Sequence, residues 1–101
     1  MDIVNSLSND VKFENKEVKY FYRMTKENFC FGQAFGIEVE KQDFIEGKIV
    51  NLERDYIKKI SNNKKKVNDL LELIYKYQVS PIHLIDILGE YTDNYVSDFN
   101  I

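Results

Sequence analysis

The chain is 101 residues long, 44% hydrophobic and 14% aromatic, with 14 basic against 17 acidic side chains and a net charge of -3. A domain of this size buries roughly two thirds of the surface its unfolded chain exposes, so a core forms without staples, and the composition excludes a wholly disordered protein. The acidic balance argues against a general polyanion binder, and a single Cys excludes an internal disulfide and favours a reducing compartment.

The start, MDIVNSLSND, lacks a basic n-region, and no apolar run approaches the roughly twenty residues of a membrane span. The expectation is a cytoplasmic protein with no membrane partner. Residues 1–15, rich in Asn, Ser and Asp without a sustained period, are expected to form a flexible N-terminal arm.

From Val18 the pattern alternates, with Val18, Tyr20, Tyr22 and Met24 on one face and Lys19, Phe21, Arg23 and Thr25 on the other, which predicts a strand. After a polar Lys26-Glu27-Asn28 turn, Phe31, Gln33, Phe35, Ile37 and Val39 alternate against Gly32, Ala34, Gly36, Glu38 and Glu40. That is a second strand. Glycine in a strand marks a close approach of backbone, neighbour or ligand, and GQAFG lacks the spacing and the strand-then-helix setting of a phosphate loop.

The stretch KIVNLERDYI fits two patterns. Val50, Leu52 and Tyr56 share one face of a strand, with Ile49 and Ile57 on the other; Ile49, Leu52, Tyr56, Ile57 and Ile60 also fit a helical stripe. Strand is favoured, because β-branched residues open the segment and a lone hairpin is only marginally stable. Val67, Leu70, Leu71 and Ile74 then recur at helical spacing behind the candidate N-caps Ser61, Asn62 and Asn63. In a second helix Ser80 is placed to cap, Pro81 sits at the first position, and Val79 staples onto Leu84, with Leu84, Ile85, Leu88 and Tyr91 as the apolar face.

The predicted fold is α+β, a three-stranded antiparallel meander followed by a C-terminal antiparallel helix pair. Residues 16–91 form its single domain, and 92–101 an acidic aromatic tail.

The Tyr-rich first strand, Phe35-Gly36-Ile37-Glu38-Val39, an Ile-Ser before a charged helix, and Ser80-Pro81-Ile82-His83-Leu84 together resemble a small uncharacterised family of cytoplasmic proteins from clostridia and related low-GC Gram-positive bacteria. The resemblance spans about Val18 to Tyr91, with SPIHL its most specific piece. It implies a bacterial cytosolic origin and hands over no activity, cofactor or catalytic residue.

Four features carry candidate chemistry. His83 falls in the first turn after Ser80 and shares a polar stripe with Asp86 and Glu90; the chain has one His and no CxxC, too few ligands for a zinc site. The stripe Ser80, His83, Asp86 and Glu90 is therefore read as partner-binding. Cys30 and His83 form the one enzymatic dyad that can be written down. Glu38 and Glu40 project together beside Gly36 and are expected to be solvated.

The lysines of Lys58–Lys66 form a basic knot, but lack the interleaved Arg and aromatic residues of a nucleic-acid reader, and a solvated loop and helix start is expected. With three strands and one helical layer, a second sheet face is left for contact. The reading is a small non-catalytic regulatory or adaptor module, with no cofactor and no metal, binding a protein partner or itself as a homodimer. The alternatives are an enzyme using Cys30 with His83 and a nucleic-acid binder using the Lys58–Lys66 segment.

Overall fold

The computed structural model describes residues 2–29 and 32–95. Four strands, β1 (Asp2–Lys12), β2 (Lys16–Phe29), β3 (Gly32–Ile45) and β4 (Lys48–Ser61), precede two helices, α1 (Lys64–Lys76) and α2 (Leu84–Tyr95). They pair in chain order, all antiparallel, into one sheet. The expected three-stranded sheet is thus corrected to four strands.

The added strand comes from the stretch expected to be a flexible arm, and its inward positions explain why its alternation is quiet. Leu7 and Val11 lie opposite Tyr22 and Val18, whereas Asn5 and Asn9 take the inward positions just before each of them. Asn5 Nδ2 donates to Asn68 Oδ1 at 2.8 Å and Asn9 Nδ2 to the Tyr75 carbonyl at 3.4 Å. The edge strand is tied to α1 by amides where a core strand would carry aliphatics. The expected tail at 92–101 begins inside α2, and its residues from 96 onward lie outside the described residues.

Cross-strand partners share a face, so the register defines two. The inner face carries Tyr22 and Met24 of β2 beside Val39 and Ile37 of β3. These residues, with Phe35 and Ile60, form one core with Val67, Leu70, Leu71 and Ile74 of α1 and Leu84 and Leu88 of α2. Both helices therefore pack on the same side. The strand members of the core cluster at one end of the sheet, and the hairpins around Phe13 and Glu46-Gly47 project beyond it in a molecule 52 Å long.

Between β3 and β4, Glu46 and Gly47 both have positive φ, 52° and 78°, the two-residue turn whose twist suits a hairpin. A register shift between Asp43 and Phe44 pairs Asp43 with Asn51 and Phe44 with Ile49, so Val50 is the extra residue. The shift carries Ile49 to the outer face with Leu52 and Tyr56, leaving Ile57 inside, opposite Ile37. A second shift separates Phe35–Ser61 from Ile37–Ile57. There β4 curls over Gly36: a Cβ on that glycine would sit 2.2 Å from the Ile57 carbonyl oxygen and 2.3 Å from that of Lys58. The close approach predicted for GQAFG is with a neighbouring strand.

Asn63 caps α1, its side chain accepting from Lys66 N at 3.2 Å. The other end closes with Val79 N donating to the Ile74 carbonyl at 3.0 Å and Gln78 N to that of Tyr75 at 3.2 Å. This is the paired Schellman arrangement, with Gln78 at φ 52° where glycine is usual. Replacing Gln78 by Gly relieves the left-handed strain and is expected to stabilise the fold by about 0.5–1 kcal/mol, read as a higher melting temperature. A lower one would mean that the Gln78 side chain contributes more than its backbone costs.

Ser80 is extended (φ -81°, ψ 155°) and precedes a 3-10 turn, Pro81–His83, that leads into α2, but its side chain makes no capping bond. Its carbonyl accepts from His83 N at 3.0 Å instead. The loop is held from the sheet: the buried Tyr22 hydroxyl donates to the Val79 carbonyl at 3.0 Å. Burial, with a smaller contribution from Tyr20, raises the pKa of that phenol far above its ordinary value, so the group remains a neutral donor.

Candidate protein-interaction surface

Among the described residues no helix packs on the outer face of the sheet. Its middle is built around the chain's only two arginines, which converge from β2 and β4 on β3. Arg23 Nη1 donates to Glu38 Oε1 at 2.6 Å and to Glu40 Oε1 at 3.2 Å; Arg54 Nε and Nη2 donate to Glu40 Oε1 at 3.1 and 2.7 Å. Gln42 donates to the other Glu40 oxygen. Glu40 is consequently buried although it lies on the open face.

Burial alone pushes the Glu40 pKa up, but the hydrogen bonds from Gln42, Arg54 and Arg23 outweigh it and leave it below its ordinary value. Burial lowers the pKa of Arg23, and the bonds to Glu38 and Glu40 again prevail and raise it. The cluster is a closed ionic plate, two guanidiniums against two carboxylates. The expectation of solvated Glu38 and Glu40 is corrected; a turn at Lys26-Glu27-Asn28 would pair Arg23 far from Glu38, and only the extension of β2 to Phe29 brings the two together.

Along the β4 side of this plate runs an apolar strip. Ile49, Leu52 and Tyr56 are 54%, 47% and 48% exposed. Lysines lie over rings at its margins, Lys19 over Phe44 at 5.3 Å and Lys58 over Tyr56 at 5.6 Å. At its far end the strip meets a groove of about 470 Å³ between β4 and α2, lined by Tyr56, Ile57, Ile85, Gly89, Thr92 and Asp93. Of the expected apolar face of α2, Leu84 and Leu88 are buried, whereas Ile85 and Tyr91 are exposed.

The stripe read as partner-binding lies on this helix and the turn before it. His83, Asp86 and Glu90 are exposed, and Ser80 is half-buried. No hydrogen bond or ion pair among the described residues joins the three exposed side chains to one another. No group of three or more His, Cys, Asp or Glu among the described residues comes together to hold a metal ion. Cys30 lies outside the described residues, and with it the Cys30–His83 pairing.

The lysine knot is dispersed. Lys58 covers Tyr56, Lys59 reaches Glu27 at 4.0 Å, Lys65 reaches Asp69 at 3.4 Å, and Lys66 lies over Tyr95 at 4.8 Å. No helix of the described residues is long and apolar enough to cross a membrane.

The model of a family of unknown function, DUF6514, matches residues 1–94, a span that includes β1 as well as the region from Val18 to Tyr91. No curated protein matches the chain, and no solved structure does.

Proposed function

We propose, for a chain that belongs to the DUF6514 family of unknown function and so inherits no activity, a non-catalytic protein-binding module of regulatory or adaptor type. The observation that carries it is the exposed strip Ile49, Leu52 and Tyr56 on an open sheet face, continuous with the groove beneath Ile85. Large apolar residues gathered on one surface and rimmed by charge are the signature of a protein contact. Enclosed pockets with convergent polar groups mark small-molecule sites, and the β4–α2 groove is shallow and lined mainly by apolar side chains.

The ionic plate supports the same reading. Its charges are matched within the chain, so an approaching surface meets a neutral, rigid floor with few unpaired charges to desolvate. His83, Asp86 and Glu90 then serve as a polar rim on the α2 side of the groove.

Leu52→Lys places a charge in the middle of the strip while leaving the inner core untouched, since Leu52 is nearly half exposed. Immobilised wild-type chain is expected to retain a specific protein that the Leu52→Lys chain binds roughly tenfold or more weakly, by quantitative pull-down or surface plasmon resonance. Equal retention by both would remove the strip from the contact. His83→Ala, at the rim, is expected to have the smaller effect.

A further inference from the structure

The occupant of this surface can be narrowed by asking what on the page complements it. The two halves of β4 differ. Toward its hairpin, Ile49, Val50 and Leu52 present exposed aliphatic side chains, Ile49 and Leu52 on the outer face. Toward its other end lies a hollow of about 470 Å³ with apolar walls, Ile57 and Ile85, and an acidic rim residue, Asp93. One end is an apolar knob and the other an apolar hole, whose rim carries Asp93 and, over the Tyr56 ring, Lys58.

An interface between identical chains about a two-fold axis requires that arrangement. Each feature must find its complement on the same surface, displaced to the other side of the axis. Knob and hole are about 20 Å apart along the strand at ~3.3 Å per residue, which places the axis near Glu53 and Arg54. There Arg54 is already neutralised by Glu40 at 2.7 Å, so two copies meet without unmatched like charge.

The dimensions also suffice. Three strands of 14 residues beside one of 11 give a face of roughly 850 Å² from standard strand spacings, comparable with the roughly 800 Å² per partner of a stable interface.

We propose that the surface is occupied by a second copy of this chain, in a two-fold dimer that seats Ile49 and Leu52 of each protomer in the β4–α2 groove of the other. The inference rests on the protein-binding reading above and names its partner. Gly89 has a defined part in it: a Cβ there meets nothing within 4 Å, so the glycine keeps the groove open.

The test is sedimentation equilibrium of the full chain from about 1 to about 100 μM, with Leu52→Lys and Gly89→Phe beside it. The wild type is expected to approach twice the 12.0 kDa chain mass and both variants to remain single chains. Gly89→Phe separates interface from fold, because replacing glycine inside a helix, with open space for the new side chain, leaves the melting temperature of the monomer unchanged or raised. A wild type of single-chain mass throughout, or a Gly89→Phe chain that dimerises normally, overturns the proposal. If the wild type is monomeric and Leu52→Lys still abolishes capture of another protein, the second-copy inference alone falls; if capture is also indifferent to Leu52→Lys, the protein-binding reading falls with it.

Discussion

Gly36→Ala is expected to destabilise the protein by about 3 kcal/mol or more, enough to leave much of a marginally stable domain unfolded at 37 °C. The methyl group would enter the space held by the Ile57 and Lys58 carbonyl oxygens, at 2.2 and 2.3 Å. No rotamer relieves that overlap, because the obstacle is backbone. The β4 bulge would have to move off β3, and with it Ile60, which is fully buried in the common core. Gly32→Ala, for which a Cβ meets nothing within 4 Å, is the matched control. Urea denaturation of the two variants measures the difference; similar midpoints would show that the curl of β4 over Gly36 is not maintained in solution.

Arg23→Ala is expected to cost about 2 kcal/mol at neutral pH. The guanidinium is one-fifth exposed, and its loss leaves Glu38 without its 2.6 Å partner and the buried Glu40 dependent on Arg54 and Gln42. That is less than the loss of a fully buried pair, because two donors to Glu40 survive.

The effect carries a sign in pH. A carboxylate held below its ordinary value stabilises the fold above that value and ceases to do so as pH falls through the lowered one. Glu40 is such a group. The gap between wild type and Arg23→Ala should therefore be full at neutral pH and narrow in acid, as Glu40 takes up a proton. A gap that persists unchanged into acid would attribute the loss to the packing of Arg23 on Phe21, where the guanidinium lies 5.2 Å from the ring.

How much of this was legible in the sequence differs by element. The inner face of β2 and β3 follows from period-two alternation, and α1 from the spacing of Val67, Leu70, Leu71 and Ile74 with an asparagine cap. β1 was concealed because hydrogen-bonding asparagines occupy inward positions, and hydrophobicity cannot register a side chain turned inward for its amide. The placement of Ile49 was lost to the Val50 bulge, since one extra residue reverses every side chain beyond it. α2 showed its buried residues, but a helix with apolar groups on two sides does not announce which side meets the sheet.

The candidate surface was legible only in outline. A second sheet face left for contact follows from counting layers, and Glu38, Glu40 and Gly36 were placed together on it. Arg54 joined them only through the β3–β4 register, which turns on two bulges that no periodicity reveals. The same register decides that Ile49, Leu52 and Tyr56 form one strip.

The most direct measurement is hydroxyl-radical footprinting of side chains at low and at high protein concentration. The account predicts that oxidation of Ile49, Leu52, Tyr56 and Ile85 falls as binding saturates, while the equally exposed Phe13 and Tyr77, at the hairpin tip and the end of α1, react as before. Unchanged oxidation of the β4 strip with protection appearing at Phe13 or Tyr77 would contradict it.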